Sequence, residues 1–195
     1  MPYAFLQYVP ANAEMYGQIR AKLGDRPEGL ITHIAHVVDG GLRYTDVWDS
    51  EEAWEQWRWN TLEPAVGEVL ASYGLPHSHD LVRLDPIDVV STWFGTGSTA
   101  NAYSFTLRVP STPEMYAEIE GKLGDEPPQG LVAHIVRVVD GGLEYIDVWE
   151  SHDLWLKFKN VTLVPTVTEV LAGHGITHTD EGVTYEPMEV LDVWA

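Results

Sequence analysis

The sequence predicts an α+β protein made of two copies of one βαββαβ unit, and three observations predict it. First, the chain is written twice. Residues 3–25 match 103–125 and 27–93 match 128–194, with close to half of about ninety aligned positions identical. Second, each copy alternates β-branched and aromatic runs with segments of helical periodicity. Third, an Asp-Gly-Gly triplet joins two of the β-rich runs in each copy, a strong hairpin signal.

The elements follow in order. Residues 3–9 are β-rich and end at Pro10. Asn12 then suits an N-cap for a helix carrying Met15, Tyr16, Ile19 and Leu23, closed by Gly24. Residues 30–38 and 42–48 read as the hairpin strands. Ser50 caps an amphipathic helix with Ala53, Trp54 and Trp57 on one side, and a further helical segment runs from about Thr61, with Pro64 in its first turn, to Gly74. A last strand lies within 81–93, interrupted near Pro86. This order is ferredoxin-like. The expected organisation is a first repeat over 1–93, a Gly/Ser/Thr linker over 94–101 that can span roughly 26 Å, and a second repeat over 102–195.

Composition excludes several functions. Of 195 residues, 30 are acidic and 11 basic, a formal charge of -19, and such a field repels nucleic acid and anionic lipid. No Cys is present, which removes disulfides, thiolate nucleophiles, Cys-bound zinc and iron-sulfur clusters. Neither a signal-peptide pattern at the start nor an apolar run of membrane-spanning length occurs. The expectation is a cytoplasmic protein with no nucleic-acid or membrane partner.

Register decides what each sheet face carries, because a one-residue slip exchanges the faces. Arg137 and Glu144 oppose one another, a favourable charge pair, if Asp140-Gly141 forms a two-residue type I′ loop. That register sets His33 opposite Asp46 and Ala35 opposite Tyr44, with Trp48 further along the same face. The second copy supplies His134, Asp147, Tyr145 and Trp149. The other face carries Leu30, Ile34, Thr45 and Val47, or Leu131, Ile135, Ile146 and Val148. Its aliphatic character predicts that the helices cover it, which turns Trp48 and Trp149 away from the helices and toward a second sheet.

A βαββαβ unit whose Gly-rich hairpin leads into Asp-Val-Trp-Asp/Glu-Ser at the second helix resembles the dimeric α+β barrel superfamily, in its antibiotic biosynthesis monooxygenase-like branch. The resemblance covers both halves. It implies two fused ferredoxin-like units packing sheet to sheet as a pseudo-dimeric barrel around a small hydrophobic or aromatic molecule, with further oligomerisation left open. It also implies chemistry without an organic cofactor, as in relatives that oxidise polyketide or quinol substrates; other relatives are isomerases, cyclases and haem-degrading enzymes. The cavity-lining strand Trp of the monooxygenases matches Trp48 and Trp149. Their upstream Asn is replaced by Tyr44 and Tyr145.

The sharpest chemical feature is the pairing of His33 with Asp46 and of His134 with Asp147. A carboxylate against an imidazole orients it and raises its basicity, which suits proton abstraction from a phenol or activated carbon acid. Tyr44, Trp48, Tyr145 and Trp149 are candidates to stack on a flat ligand. Tyr8 and Arg108 occupy equivalent positions and are candidates to hold an anionic group differently in the two halves. The His77-Ser-His79-Asp80 stretch, echoed by His174, His178 and Asp180, offers two imidazoles but no third ligand, so no metal is expected. Residues 51–73 contain no His for haem, and no Gly-rich loop precedes a helix. The expected activity is a cofactor-independent monooxygenase or a base-catalysed isomerase or cyclase; a non-catalytic metabolite-binding protein is the competing class.

Overall fold

The computed structural model describes residues 2–78 and 83–194. The chain forms two compact units, Met1–Ile87 with Glu189–Ala195, and Asp88–Met188. These differ from the repeat boundaries at 1–93 and 102–195, and the physical reason is an exchange of strands.

The first unit contains β1 (Tyr3–Val9), α1 (Ala13–Leu23), β2 (Leu30–Val38), β3 (Gly41–Trp48), α2 (Glu51–Trp57), α3 (Glu63–Ser72) and β4 (Arg83–Pro86). A π-helical turn over Arg58–Leu62 joins α2 to α3. The Asn12 side chain accepts from the Met15 N–H at 2.9 Å, and Ser50 accepts from Ala53 at 3.2 Å, so both helices begin at the expected caps. The second unit contains β5 (Val89–Phe94), β6 (Tyr103–Val109), α4 (Pro113–Leu123), β7 (Leu131–Val139), β8 (Gly142–Trp149), α5 (His152–Phe158) and α6 (Val164–Gly173), with β9 (Thr184–Trp194) closing the chain.

In the first unit the antiparallel strand order is β4-β1-β3-β2, the ferredoxin-like order, followed by residues 189–194 of β9. In the second, residues 184–188 of β9 begin the same order as β9-β6-β8-β7, and β5 is added beside β7. The last strand of each repeat is thus bipartite. Its first part pairs with its own repeat and its second part completes the other repeat's unit, so Phe94 belongs to a strand rather than to a linker.

The hairpin register is the expected one: His33 pairs with Asp46, Ala35 with Tyr44, His134 with Asp147 and Arg137 with Glu144. The loops Asp39-Gly40 and Asp140-Gly141 hold two residues, since Val38 pairs with Gly41 and Val139 with Gly142. They are not type I′, because only Gly40 and Gly141 have positive φ (79° and 82°) and the preceding aspartates do not. The following glycine is needed for a different reason. A Cβ at Gly41 or Gly142 would strike the carbonyl oxygen of Val9 or Val109.

The faces are the reverse of the expectation. Trp48 packs against Trp54 and Trp57 of its own α2 at ring separations of 5.4 and 5.3 Å, and Trp149 packs against Trp155 and Phe158 at 5.3 Å each. The His-Asp-Tyr-Trp face therefore lies beneath the helices. Leu30 and Leu131 also join it, because a bulge after each shifts the alternation before Thr32 and Ala133. Ile34, Thr45 and Val47 point to the other side and are likewise buried. With both faces buried, aliphatic content could not identify the helix side. The aromatic residues of α2 and α5 were the better guide, because they match the aromatic strand face.

Candidate functional site

Between the helices and sheet of the first unit lies a cavity of about 350 Å³. Its walls include Leu23, Trp54, Trp57, Leu62, Val66 and Leu70, and its sheet floor includes His33, Tyr44, Asp46 and Trp48. That volume sits at the lower end of small-molecule sites.

His33 Nδ1 lies 2.9 Å from Asp46 Oδ1, with the carboxylate side chain 6% exposed. The hairpin dictates this pair, since the two residues are direct cross-strand partners. On its other side His33 Nε2 is 3.1 Å from the Tyr16 hydroxyl of α1, and that hydroxyl donates to Asp192 at 2.9 Å. Arg20 Nε donates to the same Asp192 oxygen at 2.9 Å, and its guanidinium stands 3.8 Å over the Trp194 ring. Asp46, His33, Tyr16, Asp192 and Arg20 form one continuous polar chain.

Burial, reinforced by the Asp192 carboxylate, pushes the Tyr16 phenol far above the ordinary tyrosine range. Tyr44, 5.1 Å from the His33 ring, is raised by burial and by Asp46. Both phenols therefore keep their protons at neutral pH, so neither is a phenolate base.

The second unit repeats the core of this arrangement with different surroundings. His134 Nδ1 is 3.0 Å from Asp147 Oδ1, and its Nε2 is 3.2 Å from the Tyr116 hydroxyl. Where the first unit has Arg20 and Asp192, the second has Glu120 and Ser91. One Glu120 oxygen accepts from Ser91, Trp93 and Tyr116 at 2.5, 2.6 and 3.2 Å. Trp149 Nε1 donates to Asp147 at 3.2 Å, whereas Trp48 Nε1 has no hydrogen-bond partner among the described residues. Burial raises Tyr116 and Tyr145 as well, the latter helped by Asp147.

Of the residues singled out from the sequence, His33, Asp46, Tyr44 and Trp48 meet in the first cavity, and His134, Asp147, Tyr145 and Trp149 occupy the matching positions. Tyr8 also lines the cavity but is half exposed, its hydroxyl donating to the Gly40 carbonyl at 3.0 Å. Arg108, near the end of β6, is mostly exposed and bound to Glu144 at 2.7 Å. His77 lines the cavity with Nε2 2.8 Å from Glu63, whereas His79 and Asp80 fall outside the described residues. His174 binds Glu118 and His178 binds Thr168. Among the described residues no group of three or more His, Asp or Glu is placed to hold a metal ion.

Tyr16, Arg20, Asp192 and Trp194 were not singled out. Tyr16 carried a signal, because it recurs as Tyr116 in a repeat that is only half identical. Asp192 carried none, since strand exchange alone brings it to Tyr16 across 176 positions.

No protein-family model matches the chain, and no curated protein matches it. Solved structures do. A candidate monooxygenase from Lactobacillus acidophilus superposes with a TM-score of 0.66 at 11% identity, over 98% of this chain and 95% of that one. A candidate monooxygenase from Fusobacterium nucleatum gives 0.64 at 11% identity, over 98% and 93%. At this identity the likeness establishes a shared α+β fold, spanning both repeats, with monooxygenase-like proteins. No helix among the described residues is long and apolar enough to cross a membrane.

Proposed function

We propose that the chain is a small-molecule enzyme that removes a proton from a flat aromatic substrate held in the helix-covered cavity, using His33 as base. The observation that carries this reading is the Asp46-His33-Tyr16-Asp192 chain set against a cavity whose walls include Trp54, Trp57, Leu62, Val66 and Leu70.

Tyr16 has one proton and two neighbours that could accept it. When His33 carries a proton on both nitrogens this competition disappears: Nδ1–H donates to Asp46, Nε2–H to the Tyr16 oxygen, and Tyr16 to Asp192, which Arg20 holds. Each link of the Asp46-His33-Tyr16-Asp192 chain is then paired in the state that proton abstraction creates, and a site preorganised for that state lowers the barrier leading to it. A substrate hydroxyl or acidic C–H can pass its proton to the Tyr16 oxygen as Tyr16 passes its own to His33 Nε2.

In the oxygenation reading, supported by the resemblance and by the fold shared with monooxygenase-like proteins, the substrate anion supplies electrons to dioxygen. A ring CH₂ and O₂ become a carbonyl and water. The same abstraction without oxygen serves isomerisation or cyclisation. The test is oxygen uptake with anthrone- and quinol-type compounds. Wild type should consume oxygen and the His33→Ala, His134→Ala double variant should not. No uptake by wild type removes the oxygenase reading, and unchanged uptake in the double variant removes the histidines from the chemistry.

A further inference from the structure

We infer that Arg58, on the π-helical turn of the first unit, recognises an acceptor oxygen on the substrate; this deepens the cavity reading above and rests on it. Among the described residues, two arginines line the cavity, Arg20 and Arg58. Arg20 is committed, with Nε on Asp192, Nη1 on the Gly24 carbonyl at 3.0 Å and its face over Trp194. Arg58 is not. Its Nε donates to Glu63 at 2.9 Å and its guanidinium stands 4.8 Å from the Trp59 ring centroid. Among the described residues, its two terminal nitrogens meet no acceptor, although the side chain is only 17% exposed.

The surroundings hold this fork in place. Glu63, 11% exposed, gives one carboxylate oxygen to Arg58 and the other to His77 Nε2 at 2.8 Å. His77 reaches this position because residue 67 is glycine; a Cβ there would approach its ring nitrogen to 3.1 Å. The second repeat has lost the whole arrangement. Lys159 replaces Arg58 and is exposed, Val164 replaces Glu63, and Thr168 replaces Gly67 and binds His178 instead. The acid-base residues recur in both repeats while this cluster does not, which is the pattern of a specificity element rather than of the fold.

Chemistry defines what it takes. Glu63 balances the charge of Arg58, so a net anion is not required, and the planar fork suits an sp² oxygen with lone pairs in its plane. The ligand is therefore an aromatic molecule bearing a ring ketone, acyl or carboxylate oxygen, with the acidic hydroxyl or C–H that meets Tyr16 and His33 elsewhere on its frame.

The experiment measures dissociation constants of 2-acetylnaphthalene, 2-naphthoate and 2-methylnaphthalene by quenching of tryptophan fluorescence. Wild type should bind the two oxygen-bearing compounds about tenfold more tightly than the hydrocarbon, the factor expected for one charge-assisted hydrogen bond. Arg58→Met should erase that preference while leaving the hydrocarbon's affinity unchanged. Arg58→Lys should keep part of it, and Lys159→Met all of it. Preference for the acetyl compound alone or for the carboxylate alone also supports the inference and narrows the substituent. Equal binding of all three by wild type, or a preference that survives Arg58→Met, overturns the inference and leaves the cavity reading standing. Binding of none of them overturns both. Unchanged near-ultraviolet circular dichroism of each variant confirms that the comparison is made on folded protein.

Discussion

The Tyr16 hydroxyl stands between His33 Nε2, at 3.1 Å, and Asp192, at 2.9 Å, although Asp192 comes from the last strand of the other repeat. Removing that hydroxyl separates relay from support. Tyr16→Phe should lower kcat on the order of 10²-fold with little change in KM, the loss typical of a positioned proton-transfer group. Asp192→Asn should do less, because an amide still accepts from Tyr16. Steady-state kinetics on any turned-over substrate checks both, and equal, small effects would argue that Tyr16 is only a structural bridge.

The exchanged strand makes a second prediction. Residues 189–194 pair with β2, bringing Trp194 to the first cavity and Asp192 to Tyr16 and Arg20, which line it. A chain ending at residue 188 should expose the β2 edge, self-associate and lose cooperative unfolding. A chain of residues 1–95 should fail in the same way. Size-exclusion chromatography with denaturant titration decides this, and a monomeric, cooperatively folding 1–95 fragment would contradict it.

The two strand tryptophans differ in one hydrogen bond. Both are almost wholly buried, but among the described residues only Trp149 finds an acceptor for its indole N–H, in Asp147. Trp48→Phe and Trp149→Phe remove similar ring volume, so the second should cost about 1 kcal/mol more in unfolding free energy. Equal costs would show that the indole bond contributes nothing.

Four buried phenols set the alkaline limit. Tyr16, Tyr44, Tyr116 and Tyr145 are all raised above the ordinary value of 10.0, so the folded state holds their protons more tightly than the unfolded chain. Their contribution is complete below pH 10.0 and falls as pH rises through that value, by about 1.4 kcal/mol per unit for each. Unfolding midpoints should drop steeply between about pH 10 and 11.5. Phenolate absorbance appearing for all nine tyrosines near pH 10 in a still-folded protein would contradict this.

Pairing was legible in the sequence and partnership across repeats was not. The repeat, the caps and the Arg137-Glu144 register all follow from local chemistry, and with them came His33 against Asp46. The face was misread because a sheet buried on both sides offers no polar side to exclude, and the bulge beyond Leu30 hid one more residue of the aromatic face. Asp192 and Trp194 were illegible because nothing local says that the second part of a bipartite strand pairs elsewhere. Arg58 and Glu63 were not singled out; they lie at the π-helical turn over Arg58–Leu62 and just after it, and both line the cavity.

The central claim is that His33 removes a proton from a ligand in the first cavity, and anaerobic exchange measures that step without any oxygen chemistry. Anthrone is incubated with the protein in deuterium oxide under nitrogen, and loss of the signal from its ring CH₂ is followed by proton NMR. Wild type should exchange well above the buffer rate, and His33→Ala should fall on the order of 10²- to 10⁴-fold toward it while still binding the compound. Exchange equal in wild type and His33→Ala, with binding intact, would contradict the claim.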